Sequence, residues 1–131
     1  MSQPVHIPSR MEQIAAYFSP EVIGEVNDVY VKLARINGQD VPWHTHPGED
    51  ELFYVLEGEL LMEVEGSQPF AMRAGDMFVV PRGQSHRVSS EADCTLLLVE
   101  NKETAHLGDT GAAITRSIEE QLRGFDGGAV R

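Results

Sequence analysis

The sequence is poor in cysteine, in basic residues and in long apolar runs, and each shortage excludes a class of protein. Cys94 is the single cysteine, so no internal disulfide can form, and a reducing compartment is the simpler expectation. Ten Lys and Arg residues stand against 21 Asp and Glu residues, which leaves a net charge of −11 at pH 7. This balance argues against binding to nucleic acid or to anionic membrane surfaces, because their phosphates attract basic side chains.

The chain also lacks an apolar stretch long enough to cross a membrane, and no basic patch followed by an apolar run opens it. The sequence therefore predicts a cytoplasmic protein. Its 131 residues, 41% of them hydrophobic, are close to the commonest size of a single domain. We expect one domain over residues 1–131, with an N-terminal arm and helix over 1–20, a barrel core over about 26–100 and a C-terminal tail over 101–131.

Short apolar segments separated by turn residues fill the middle of the chain. In the segment over 59–65, Leu60, Met62 and Val64 should share one face, and in the segment before it Glu51 should share its side with Phe53 and Val55. Turns recur at a spacing of about 8–12 residues and no βαβ alternation is visible, so the pattern predicts an all-β sandwich or barrel. The expected strands lie over 26–36, 52–56, 59–65, 70–72, 77–80, 85–89 and 95–100, with extended structure also over 41–46.

Two short helices are predicted outside the strands. Ser9 and Glu12 fit a capping box, and Pro20 should stop the helix that follows. The apolar residues of that helix repeat at helical spacing: Met11, Ile14, Ala15 and Phe18. A second helix, ending near Gly124, is indicated by three apolar residues spaced four apart: Ile114, Ile118 and Leu122.

One stretch combines two histidines and a carboxylate at close spacing. His44 and His46 are separated by one residue, so in extended backbone their side chains point to the same side. Glu51 follows a Pro-Gly turn and opens an apolar strand, and His86 lies further along the chain. Imidazole nitrogen and carboxylate oxygen suit Fe, Mn, Ni, Zn or Cu. The candidate metal ligands are therefore His44, His46, Glu51 and His86.

These residues fall in two spaced motifs that resemble those of the cupin superfamily. The first set matches the first cupin motif at every anchor: Gly38, His44, His46, Glu51 and Gly58. The second set matches the second cupin motif: Gly75, Pro81, Gly83 and His86. Where the cupin pattern expects asparagine this chain has Ser90, and because that asparagine is not a metal ligand in the family, the change bears on local loop structure.

The resemblance covers roughly residues 29–99 and carries further expectations. It implies a small single-domain cupin built as a double-stranded β-helix, the jelly-roll barrel of the family, with short terminal helices. It also implies one divalent transition metal, of undetermined identity, held inside the barrel by three histidines and one glutamate: His44, His46, Glu51 and His86.

Other side chains are weaker candidates. Trp43 would either shield the mouth of the barrel or pack between subunits. Arg82 and Arg87 flank the second motif, and either would suit a substrate carboxylate, although a turn position favours plain solvation for Arg82. Four large apolar residues would either line a pocket or fill the core: Phe53, Met62, Met72 and Phe78.

Two histidines lie outside the predicted barrel strands. His6 falls in the N-terminal arm and is expected to be solvated rather than to bind metal. His106 follows the last strand and is expected at the surface, although a chain folded back over the barrel would let it shuttle protons.

Two classes of function follow from the resemblance, and fold alone does not choose between them. The first is a metal-dependent enzyme, of dioxygenase or isomerase type, acting on a small polar or aromatic metabolite. The second is a non-catalytic binding or regulatory module in which the metal anchors a small ligand. A homodimer is expected in either case, because cupins of this size often pair and the apolar run over residues 96–99 would suit an interface.

Overall fold

The computed structural model describes residues 3–103 and 117–125, and antiparallel strands dominate these residues. These described residues include two short helices, α1 (Ile7–Gln13) and α2 (Ile118–Gln121). The all-β prediction with short terminal helices is confirmed. The strands are β1 (Glu21–Val26), β2 (Val29–Gly38), β3 (Glu51–Glu57), β4 (Glu59–Val64), β5 (Phe70–Arg73), β6 (Met77–Val80) and β7 (His86–Asn101).

The long strand β7 organises the sheet pairing. Its first part, from His86 to Ser89, pairs with β4. Its second part lies between two strands, with Leu96 opposite Ala34 of β2 and Val55 of β3. β1 extends the sheet beyond β2, β6 extends it beyond β3, and β5 pairs with β4. Because β7 pairs with β4 through its first part and with β2 and β3 through its second, the strands form one sheet that folds over on itself as a jelly roll.

The sequence predicted two separate strands, over residues 85–89 and 95–100, where the structure has the single strand β7; that division is wrong. The register with β2 shifts between Ile36, which pairs with Cys94, and Gly38, which pairs with Ser90. Such a bulge bends the strand without ending it. The Ser90 hydroxyl donates to the Ile36 carbonyl at 3.4 Å, so serine makes a buried polar contact where the cupin pattern has asparagine.

The strand predicted over residues 26–36 is confirmed over 29–36, within β2, whereas residues 26–28 form the end of β1 and the turn between the two strands. The chain reverses at Asn27, whose φ of 52° is one that asparagine tolerates better than most residues. β1 escaped prediction because a register shift between Val22 and Gly24 breaks its alternation, so that Val22 and Ile23 are both buried.

Apolar side chains fill the space between the two halves of the sheet, and the alternation predicted for β3 and β4 is confirmed. On these two strands the inward residues are buried: Glu51, Phe53, Val55, Leu60, Met62 and Val64. A second apolar cluster lies outside this core, where Met11 and Ile14 pack with Ile23 and Leu33. The N-terminal segment therefore covers an apolar surface next to β1 and β2.

Helix α1 differs from its predicted form. The residue before it, His6, provides no side-chain cap, so the predicted capping box of Ser9 and Glu12 is wrong. Pro8 stands in the first turn, where its fixed φ suits a helix start and its missing N–H is not needed. The helix ends before Ile14, whose backbone is extended.

The C-terminal helix has the capping box that α1 lacks. The Ser117 hydroxyl accepts from the Glu120 N–H at 3.1 Å, and the Glu120 carboxylate accepts from the Ser117 N–H at 3.0 Å. The predicted helix near Gly124 is confirmed over α2, whereas Ile114 lies outside the described residues. Neither helix of the described segments has the length and apolar character needed to cross a membrane.

Candidate metal centre

The structure brings the four candidate ligands together inside the barrel. His44, His46, Glu51 and His86 are all buried, with between 0% and 5% of their surface exposed. One potential donor atom from each residue lies within 4.8 Å of the other three. Side chains separated by up to 42 residues in sequence thus share one small volume.

Backbone hydrogen bonds hold the loop histidines against the start of β7. The His44 N–H donates to the His86 carbonyl, and the His86 N–H donates to the His44 carbonyl, both at 3.0 Å. The Gly83 N–H donates to the His46 carbonyl at 3.0 Å. The segment predicted as extended over 41–46 contains this one bridge and is otherwise irregular.

Two of the imidazole rings are oriented by carbonyl groups two residues earlier in the chain. His44 Nδ1 lies 2.9 Å from the Pro42 carbonyl oxygen, and His86 Nδ1 lies 3.0 Å from that of Gln84. A carbonyl oxygen can only accept, so each Nδ1 carries a proton, and each Nε2 faces the centre, where it binds a metal once unprotonated. This arrangement is typical of histidines that bind metals.

The Glu51 carboxylate lies between two of these rings. Its Oε1 is 3.1 Å from His46 Nε2 and 3.3 Å from His86 Nε2. His46 Nε2 is buried and has no hydrogen-bond partner, although the Glu51 oxygen lies this close. A buried nitrogen in that state is costly unless something binds it.

The donor set fits a metal ion. Ligands at the usual distance of about 2.1 Å on opposite sides of a cation stand roughly 4.2 Å apart. The four donors span at most 4.8 Å, so a small inward movement would bring them all to bonding distance. A cation would also give His46 Nε2 the partner that it lacks.

The protonation states of His44 and Glu51 also suit metal binding. Burial lowers the pKa of His44 to about 4, and nearby His86 adds to the effect, so the ring is neutral at pH 7. Burial alone would raise the pKa of Glu51, but the close approach of His46 and His86 outweighs it and holds this pKa below its ordinary range. Neutral imidazole and ionised carboxylate are the forms that bind metals.

The sequence did not reveal a row of buried polar residues behind Glu51. Lys32 donates to the Glu100 carboxylate at 2.6 Å and to the side-chain oxygen of Gln121 in α2. Burial raises the pKa of Glu100 well above its usual value, the charge of Glu51 adds to this, and Lys32 opposes it. The sequence signal that could have revealed these residues is a charged side chain at an inward position of an apolar strand.

An apolar cavity opens beside the donors. His44 and Glu51 reach it. Phe53 also lines it, which agrees with the first of the two alternatives predicted for this residue, pocket lining or core packing. The other three predicted lining residues belong to the core: Met62 and Met72 are buried there, and Phe78 packs against the core with its ring 5.0 Å from that of Phe70. Lining residues that the sequence did not reveal include Phe18, Ile36, Val41, Val88 and Leu98.

The two arginines near the second motif are engaged at the surface. Arg87 pairs with Glu63 at 2.6 Å, and its guanidinium lies 5.0 Å from the Trp43 ring centroid. Arg82 lies 3.6 Å from the Asp50 carboxylate. Neither arginine lines the cavity beside the donors, so neither is placed to receive a substrate carboxylate there.

Of the two histidines outside the predicted barrel strands, His6 takes no part in the described centre. His6 is exposed, as expected. His106, considered as a proton shuttle, lies outside the described residues.

Comparisons with known proteins agree with this architecture. Residues 35–100 match the family model of the cupin domain (Cupin_2). The chain is 39% identical over 115 residues to the uncharacterized protein YdbB of Bacillus subtilis (strain 168), a match that covers 88% of this chain and 90% of YdbB. It is 28% identical over 108 residues to 3-hydroxyanthranilate 3,4-dioxygenase of Bos taurus, covering 78% of this chain and 37% of the bovine protein.

A solved structure gives the same result for the fold. The crystal structure of a cupin-2 domain containing protein from Shewanella frigidimarina superposes with a TM-score of 0.71 at 31% identity. The match covers 74% of this chain and 93% of that one. On its sequence, its barrel and these relatives, the chain belongs to the cupin family.

Proposed function

We propose that this cupin binds one divalent transition metal through His44, His46, Glu51 and His86, and that it is an enzyme of dioxygenase or isomerase type acting on a small metabolite. The observation that carries the proposal is the position of the buried donors at the wall of an apolar cavity. Iron, manganese, nickel, zinc and copper all accept this donor set, so analysis of the protein must identify the metal.

The roles of the chain follow from its contacts. His44 and His86 keep Nε2 toward the centre because their Nδ1 protons are used by backbone carbonyls. The apolar walls, Phe53 among them, would exclude water and hold the body of the substrate. When bound, the metal would supply Lewis acidity and free coordination positions for a chelating substrate.

The cavity lining favours the dioxygenase form. No cationic side chain occurs among the described residues that line the cavity, so a phosphate group would find no partner there. An aromatic ring with adjacent oxygen donors would place the ring against the apolar wall and the oxygens toward His44 and Glu51. The bovine relative, a dioxygenase by name, agrees with this choice.

The alternative, a non-catalytic binding module, is favoured by one observation. Among the described lining residues, His44 and Glu51 are the titratable ones, and both are candidate ligands. The cavity therefore offers no separate general acid or base, which a reaction with proton transfer usually needs. A dioxygenase that uses its substrate's own acidity would tolerate this lack better than an isomerase.

The test begins with protein purified without added metal and analysed by elemental mass spectrometry. We expect about one transition-metal ion per chain, on the chemistry of the four donors. The Fe²⁺-loaded protein is then screened in an oxygen electrode against aromatic diols and against sugar phosphates. Oxygen uptake with the diols, absent in a Glu51→Ala variant, is the expected result.

Two other results would redirect the proposal. Diols that bind tightly to the loaded protein without oxygen uptake would favour the binding module. A wild-type chain that neither contains nor takes up a metal would remove the basis of both functions. The cytoplasmic location and the single domain over residues 1–131 stay predictions.

We also propose a homodimer, with the outer face of β3 and β6 at its interface. Met77 and Val79 of β6 are 54% and 41% exposed, although both are apolar. The run over 96–99, expected to suit a dimer interface, is largely used within the chain. Leu96 and Leu98 lie in the core, and Leu97 packs against the second apolar cluster, which contains Met11 and Ile14. Sedimentation should give twice the chain mass, and Met77→Lys with Val79→Lys should halve it. A wild-type mass of one chain would contradict the dimer.

A further inference from the structure

The cavity beside the donors is too small for the aromatic substrate class proposed above. Its volume is about 40 Å³. An apolar cavity that takes up benzene inside a protein has a volume of about 150 Å³. An aromatic diol therefore cannot enter while every wall of the cavity stays in place, and the walls differ in how firmly they are held.

Most of the lining belongs to the sheet. The apolar lining residues in β2, β3 and β7 are Ala34, Ile36, Phe53, Val88, Leu96 and Leu98. The ladders of hydrogen bonds fix these residues, and His44 is fixed by its two backbone hydrogen bonds with His86. Phe18 and Pro20, in contrast, come from the irregular segment between α1 and β1. Of the large side chains in the lining, Phe18 is therefore the one that can move without breaking the sheet.

Residues 14–20, which we call the strap, follow the part of β2 that β1 does not reach. The Phe18 N–H donates to the Arg35 carbonyl at 2.8 Å, beyond the last pair of β1 with β2, Glu21 with Leu33. The two aromatic residues of the strap face opposite sides. Tyr17 is 42% exposed and its hydroxyl donates to the Asp93 carboxylate at 2.7 Å, whereas Phe18 is 7% exposed and lines the cavity. Tyr17 thus holds the strap from outside while Phe18 fills the barrel from inside.

The backbone at Phe18 is strained. Its φ of 55° lies in the left-handed region, where bulky residues with a Cβ are uncommon. Such conformations persist only where surrounding contacts hold them, and they cluster at ligand clamps and switch regions. One of the contacts that hold Phe18 is the burial of its own ring in the core. A ligand ring that takes this place substitutes for the burial and lets the strap relax.

We propose that Phe18 is a specificity-determining gate: its ring occupies the place that an aromatic ring of the ligand takes, and binding requires the strap to turn it outward. This role rests on the proposed function, because the aromatic substrate class was proposed there. In the free protein the closed form predominates. The affinity for a ring is then reduced by the fraction of molecules in which the gate is open.

The gate is tested apart from the metal by titrating metal-free protein with benzene and measuring the affinity by NMR. Phe18→Ala removes the ring from the cavity. It should bind benzene at least about tenfold more tightly than wild type, because minor conformations are populated to about 10% or less. Tyr17→Phe removes only the hydroxyl that holds the strap closed. It should bind benzene about twofold to tenfold more tightly, the range expected for one hydrogen bond.

Two variants provide matched controls. Phe70→Ala removes a ring that packs against the same core without lining the cavity. Tyr30→Phe removes a tyrosine hydroxyl from β2, outside the strap. Both should leave the benzene affinity unchanged. Circular dichroism checks that each variant folds; if Phe18→Ala does not, Phe18→Gly, which removes the same ring and accepts the positive φ, replaces it.

The failures of the gate and of the proposed function are distinguishable. Wild-type benzene affinity in the Phe18 variant would overturn the gate, because the ring would then not be in the way. A gain in the Phe18 variant without one in Tyr17→Phe would also overturn it, because Phe18 would then be a fixed wall. Zn²⁺-loaded wild type and Phe18 variant are finally titrated with catechol. If neither binds catechol while both gains for benzene are seen, the gate stands and the aromatic diols are removed as substrates.

Discussion

Replacing His44 and His46 together with alanine is expected to reduce the metal content of the purified protein from about one ion per chain to nearly none. The two imidazoles are half of the donor set, and both are buried where water cannot replace them freely. Four-ligand sites in small zinc domains are worth about 10 kcal/mol or more in total, so losing two ligands should weaken binding by roughly a thousandfold at least. Elemental mass spectrometry and a Co²⁺ titration measure the loss.

The control for this experiment is a histidine that differs only in its place. His6 is exposed in the N-terminal segment, so His6→Ala should leave the metal content unchanged. Circular dichroism must show that the double variant keeps its strands, since it also removes two buried rings. A folded double variant with an undiminished metal content would disprove the proposed ligand set.

Replacing Gly58 with alanine is expected to destabilise the protein by about 2–4 kcal/mol. This glycine joins β3 to β4 with a φ of +88°, which residues with a Cβ rarely adopt. A Cβ would also lie 2.5 Å from the Asp93 carbonyl oxygen and 3.0 Å from the Cys94 Cα. Both are backbone atoms of β7, which pairs with three strands, so relief requires the sheet to shift. Urea unfolding measures the change in the free energy of unfolding.

Gly66 separates the two contributions. Its φ of +86° is nearly that of Gly58, but a Cβ there would meet nothing within 4 Å. Gly66→Ala should therefore cost only the backbone strain, about 1–2 kcal/mol. The difference between the two variants is the cost of the overlap with β7. The same destabilisation in both would show that the overlap is relieved without cost.

How far the fold was predictable depended on how regular each strand is. β3 and β4 were predicted with the correct inner faces because an antiparallel strand with one buried face shows its alternation directly in the sequence. β1 was not predicted, and β7 was predicted as two strands, because a bulge adds a residue to one strand and interrupts the alternation of apolar and polar residues. The predicted capping box at Ser9 does not form because the helix begins earlier, at Ile7, with Pro8 in its first turn.

The four candidate ligands were accessible from the sequence because their chemistry is rare in apolar strands and their spacing is that of two known motifs. The residues around them were not accessible in this way. Lys32 and Glu100 are single charges in ordinary strands, and Phe18 follows a helix that was predicted to be longer. Nothing in the local sequence of any of them indicates a neighbour more than 30 residues away.

By itself, then, the sequence determined the family, the inward side of the regular strands and the set of side chains able to hold a metal. Only the tertiary structure decided what lies beside that set. Glu100 is opposite Glu51 in the sheet, an apolar cavity reaches His44, and Arg82 and Arg87 pair with surface carboxylates and do not line that cavity. The reason is that the two-residue period of a strand decides which side a residue faces, whereas packing of the whole chain decides which strand lies next to it.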